Sequence, residues 1–130
     1  MGLFGNSKKK TKETIEKYFK DKGISLEKDG KNYSFELVNQ KEGFSLYPYF
    51  TYDEDVNELS FFINLKNVEL EYDYRKLNSF NIGSKYFKAA IKDSIIYLEY
   101  NAKVEIDEFK NVMDCLIESV FIKSLEIDSL

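Results

Sequence analysis

Histidine and tryptophan are absent from this sequence, and cysteine, arginine and proline occur once each, as Cys115, Arg75 and Pro48. Without histidine the commonest metal ligand and general base is missing, which removes most zinc-type sites and every histidine-activated nucleophile. A lone cysteine forbids an internal disulfide and suits a reducing cytosol. A single arginine leaves almost nothing for planar, bidentate recognition of phosphate, carboxylate or guanine. No apolar run approaches the ~20 residues that span a bilayer, and no signal peptide opens the chain, so a cytoplasmic protein is expected. The N-myristoylation pattern fails at Asn6, where Ser or Thr is required. Acidic side chains (23) outnumber basic ones (19), and the net charge of -4 comes with no basic stripe, which argues against a nucleic-acid partner.

What is present is enough apolar material for a core. The 130 residues are 43% apolar and 16% aromatic, which predicts one domain with a radius of gyration of about 14 Å. All but one of the 19 basic side chains are lysines, and Asn, Ile, Phe and Tyr are plentiful. An A+T-rich gene supplies that same bias, so abundance of Tyr or Lys is not by itself a functional signal.

Residues 1–11 are rich in Gly, Ser and Lys and read as a flexible leader, with a single α+β domain over 12–130. Lys8, Lys9 and Lys10 follow only two large apolar residues, Leu3 and Phe4, too few for stable membrane association. From Thr11 to Lys22 the spacing predicts a helix with Ile15, Tyr18, Phe19 and Lys22 on one side, Thr11 as N-cap and Gly23 as the stop. Three strands are predicted next: Tyr33 to Val38 after the Asp29-Gly30 turn, Phe44 to Tyr52, and Leu59 to Leu65. Pro48 cannot donate to a ladder, so the second of these lies at an edge or carries a bulge. A short helix is expected over Leu70 to Asn81, ending near Gly83, with Leu70, Tyr74, Leu77 and Asn78 on its inner side. Strands Lys85 to Lys92 and Ile95 to Tyr100 follow, joined by a tight turn. The last helix has the clearest pattern, because Phe109, Val112, Met113, Leu116, Ile117, Val120 and Phe121 form an i, i+3, i+4, i+7 stripe behind an Asp107 N-cap.

The order is α-β-β-β-α-β-β-α, with short links between strands. It predicts an α+β fold: an antiparallel sheet of about five strands with helices packed mainly on one face. Class I type III secretion chaperones and the related YbjN-like proteins of bacteria use the same order. From about Leu70 to Leu125 the sequence resembles the YbjN-like group in particular. The parts that carry the likeness are Leu77-Asn78-Ser79-Phe80-Asn81, Lys85-Tyr86-Phe87-Lys88, the turn Lys92-Asp93-Ser94, the apolar strand Ile95 to Tyr100, and the helix from Phe109 to Phe121. The first 69 residues match in element order only. The resemblance implies a secretion-chaperone-like fold, a tendency to form a homodimer, and binding of a polypeptide rather than catalysis. It supplies no catalytic residue.

The candidate site is the sheet face that the helices leave uncovered. If Leu59, Phe61, Ile63, Phe87, Ala89 and Ile91 face the helices, the two-residue period sends Phe62 and Tyr86 outward, and by the same rule Tyr47, Tyr49 and Tyr97 join them. Pro48 leaves the register of the second strand open. Several aromatics on one face of an open sheet form a patch for a partner or a dimer mate; the alternative is that they only cover the sheet.

Other clusters carry less. Asp53-x-Asp55-x-Asn57 opens like a calcium loop, but Glu58 stands where that loop needs Gly and Asn64 where it needs the bidentate Glu. Glu69, Glu71 and Asp73 read as a solvated acidic patch. Cys115 lies off the apolar stripe with nothing placed to activate it. No spacing selects one carboxylate pair for acid/base work, and there is no P-loop, GxGxxG or HExxH. No metal or cofactor is expected, and no enzyme activity. The sequence therefore favours a small chaperone- or adaptor-like module that holds a segment of another protein on the sheet face and beside the first helix. The alternative is an immunity-type inhibitor that plugs a toxin's active site with Asp53, Glu54, Asp55 and Glu58. A hydrolase using unidentified carboxylates ranks third.

Overall fold

The computed structural model describes residues 3–68 and 74–128. Its strands are β1 (Glu27–Asp29), β2 (Asn32–Ser34), β3 (Leu37–Asn39), β4 (Phe44–Leu46), β5 (Tyr49–Asp53), β6 (Glu58–Asn67), β7 (Lys88–Lys92) and β8 (Ile95–Lys103). Six of them form one antiparallel sheet in the order β1-β2-β5-β6-β8-β7, while β3 and β4 pair separately. Among the described residues the helices are α1 (Leu3–Asp21), α2 (Tyr74–Gly83) and α3 (Phe109–Asp128), the last preceded by a 3-10 turn at Ile106–Glu108.

Alternation along the strands divides the sheet into two faces. On one face Tyr33, Phe50, Leu59, Phe61, Ile63, Ala89, Ile96 and Leu98 are buried in a single core with Ile15 and Phe19 of α1, Leu77 and Phe80 of α2, and Phe109, Met113, Leu116 and Val120 of α3. Phe50 is central: its ring lies 5.7 Å from Phe19, 5.0 Å from Tyr33, 6.2 Å from Phe35 and 5.9 Å from Phe109. The expected α+β architecture, with helices packed on one face of an antiparallel sheet, is the one observed.

The strand count is higher than the five expected, for two physical reasons. The first predicted strand and its partner each break in the middle. Pro48 has no N–H to give, its carbonyl accepts from Phe35 N at 3.2 Å, and the ladder resumes beyond it with Leu37 opposite Leu46. The outer half of this long hairpin bends off the main sheet, and Phe44 meets Phe121 of α3 edge-on at 5.7 Å. Strand β1 was not expected at all, because Glu27, Lys28 and Asp29 carry no apolar signal; Gly30, at φ +62, turns it into β2.

Helix α1 begins at Leu3, so Thr11 lies inside it instead of capping it, and residues 3–11 are helical where a flexible leader was read. Polar pairs at i, i+4 extend it where apolar periodicity is missing: Lys9 with Glu13 at 4.0 Å and Lys12 with Glu16 at 3.8 Å. Asp107 is not the N-cap of α3. It sits within the 3-10 turn and pairs with Lys10 of α1 at 3.1 Å. In α2 the buried side is Leu77 and Phe80, while Tyr74 and Asn78 are exposed. The expected place of Leu70 on that side, and the acidic patch Glu69, Glu71 and Asp73, lie outside the described residues. Among the described residues, no helix is long and apolar enough to cross a membrane.

Candidate partner-binding face

On the opposite side of the sheet the register sets Ser34, Tyr49, Phe62, Glu99 and Lys88 in one row across five strands, and Asn64, Tyr97 and Ala90 in the next. No side chain in these two rows is fully buried, whereas most of those on the helix-covered face are. Tyr49 and Phe62, directly opposite across β5 and β6, stack with centroids 5.3 Å apart and planes 20° apart. Such a cross-strand stack contributes roughly 0.5–1.5 kcal/mol beyond its buried area. Partial burial raises the Tyr49 phenol above its ordinary pKa, and the neighbouring Tyr97 phenol adds to the rise. Tyr49, Phe62 and Tyr97 thus form one contiguous aromatic cluster near the middle of the uncovered face.

Tyr47 and Tyr86 lie outside the strands that carry it. Tyr47 falls in the break between β4 and β5, so strand alternation does not orient it, and it is 65% exposed. Tyr86 lies in the segment before β7, which starts only at Lys88. It neighbours Tyr100, whose phenol is raised first by burial and then by Tyr86 and Cys115. Neither position lies in a strand, so strand alternation does not fix which face its side chain takes; Tyr86 is exposed beside the buried Phe87.

A groove of about 620 Å³ runs beside α1, with Lys8, Lys12, Lys28 and Lys31 on its rim together with Asp53, Glu54 and Asp55. The acidic loop is therefore interleaved with lysines and is not a bare anionic prong. Asp53 folds back to accept the Asp55 N–H at 3.0 Å, as a turn-forming Asp does. Among the described residues no three or more carboxylate or thiol side chains converge as metal ligands. Cys115 is half-buried in α3.

No protein-family profile matches the sequence, and no curated protein matches it in sequence. Solved structures do match in shape. YbjN from E. coli superposes with a TM-score of 0.61 at 15% identity, over 90% of each chain. The ExsC–ExsE complex matches with a TM-score of 0.57 at 15% identity, over 91% of this chain and 90% of that one. The HopA1–SchA chaperone–effector complex matches with 0.55 at 10% identity, over 82% and 87%. The fold is that of YbjN and the type III secretion chaperones. Within this YbjN-like, chaperone-like fold the aromatic cluster is a feature of this chain's own residues, and identities of 10–15% carry over no individual side chain.

Proposed function

We propose that this chain is a small cytoplasmic protein-binding module, chaperone- or adaptor-like, that holds an extended apolar segment of a partner protein against Tyr49, Phe62 and Tyr97. The single observation that carries this reading is the stacked aromatic cluster on a sheet face where no side chain of the two central rows is fully buried. Two of the fold's structural neighbours, the HopA1–SchA and ExsC–ExsE complexes, are protein–protein assemblies, which supports the same reading. Binding, not catalysis, is the role of the module. Burial of preformed rings supplies the affinity, and the rigid sheet holds them in place so that little ordering cost is left. The immunity-type alternative gains nothing from the structure, since its acidic loop shares the groove rim with four lysines.

A photo-crosslinking amino acid placed at Phe62, and in a control at the exposed Glu16 of α1, tests this in the native cell. Adducts to a distinct protein from position 62 only are expected, with the attachment point in one short segment. A second copy of this chain in the adduct would mark the face as a homodimer interface. Adducts from Glu16 alone would contradict the reading.

A further inference from the structure

The two end strands of a sheet present unpaired N–H and C=O groups, and proteins protect them against unwanted strand pairing. In this sheet the ends are β1 and β7. Strand β7 turns into β8 through Asp93 and Ser94, at φ 52 and 64, a two-residue turn in which Lys92 and Ile95 face each other as a hydrogen-bonded pair. Alternation then makes Ala89 a non-hydrogen-bonded position relative to Leu98, so its N–H and C=O point away from β8, toward the free edge. The Asn81 side chain meets both. Its Oδ1 accepts the Ala89 N–H at 2.6 Å and its Nδ2 donates to the Ala89 carbonyl at 2.9 Å. Lys88 Nζ clasps the same helix end, donating to the carbonyls of Asn81 at 2.7 Å and Ser84 at 3.0 Å.

We propose that Asn81 is a one-residue surrogate strand that blocks the β7 edge at Ala89 against β1 of a second copy of this chain. Charge on the two ends selects that occupant. Strand β7 reads Lys-Ala-Ala-Ile-Lys and β1 reads Glu-Lys-Asp. Pairing β7 with β1 of another copy sets basic against acidic ends, whereas pairing β7 with itself gathers lysines. Joined that way the contact is head-to-tail and does not close, so sheets of successive copies would extend one another. The primary amide is the one side chain that supplies a donor and an acceptor in the spacing of a backbone unit.

Light scattering across a concentration series, with amide exchange read by NMR, tests this on Asn81→Ala and on Asn81→Ser, which stays polar but cannot span both groups. The expected result is a mass that climbs past the dimer with concentration in both variants. Adding Glu27→Lys and Asp29→Lys should reverse the growth. In dilute solution the Ala89 amide should exchange roughly five- to tenfold faster than in the wild type, the factor for one lost hydrogen bond. Variants that keep the wild-type mass at every concentration, or that stop at a closed dimer, overturn the proposal.

Discussion

The clamp between the first and last helices provides a quantitative test of the packing. Tyr18, 5% exposed, donates its hydroxyl to Asp114 Oδ1 at 2.6 Å. Lys22 Nζ stands 3.2 Å from that oxygen and 5.7 Å from the Tyr18 ring centroid. The hydrogen bond from Tyr18, with Lys22 beside it, holds the Asp114 carboxyl below its usual pKa. Burial, then the Asp114 charge, pushes the Tyr18 phenol far above its own. Tyr18→Phe removes only the hydroxyl and keeps the edge-on contacts with Phe19 at 5.1 Å and Phe109 at 5.8 Å. A hydrogen bond to a charged acceptor is worth about 1.5–3 kcal/mol. Asp114 keeps Lys22 and its side chain is 31% exposed, so the low end applies and a loss of about 1.5 kcal/mol is expected at pH 7.

The pH dependence follows from the sign of the Asp114 shift. A carboxyl whose folded pKa is depressed stabilises the fold above its unfolded pKa of about 3.9, and that contribution is lost as pH falls through the folded value. Once Asp114 is protonated only a neutral hydrogen bond remains, so the Tyr18→Phe deficit should shrink to about 0.5–1 kcal/mol in strong acid. Urea unfolding followed by far-UV circular dichroism at neutral and acid pH measures both. In an Asp114→Asn background the deficit should no longer vary with pH. Equal stability at pH 7, or a deficit that grows on acidification, would refute the reasoning.

Three further outcomes follow from the same structure. Phe50→Ala should cost about 3–5 kcal/mol, seen as a large drop in the urea midpoint, because the emptied space is walled by four aromatic rings. Ser94→Gly should raise stability by about 0.5 kcal/mol in the same assay, since Ser94 holds φ 64 in the β7–β8 turn without need of its side chain. The pair Tyr49→Ser and Phe62→Ser should cost no more than about 2 kcal/mol, with an unchanged circular dichroism spectrum, because their stack lies outside the core.

Elements with a strong apolar period were legible in the sequence. Leu59, Phe61 and Ile63 are buried as alternation requires, and Phe109, Met113, Leu116 and Val120 form the spine of α3. What escaped was held by polar groups or by breaks in the backbone. Strand β1 has three charged residues, and the start of α1 rests on lysine pairs, so neither shows in a hydrophobic pattern. Pro48 announced an irregularity, but only the folded chain shows that Phe35 follows it and both strands bend together. For the candidate face, Tyr49, Phe62 and Tyr97 were readable because each lies inside a strand. Tyr47 and Tyr86 lie past strand ends, where alternation alone does not fix a face. Asn81 was visible only as one residue of the stretch that carries the family likeness, and its bond to Ala89 depends on a fold contact that spacing does not reveal.

The affinity of the segment captured at position 62, measured for the wild type and for a Tyr49→Ser/Phe62→Ser/Tyr97→Ser variant at low and high salt, tests the central claim most directly. The account predicts at least about a tenfold weakening in the variant, the equivalent of 1.4 kcal/mol, and little response of the wild type to salt. An affinity that survives the triple substitution, or that collapses with salt alone, contradicts it.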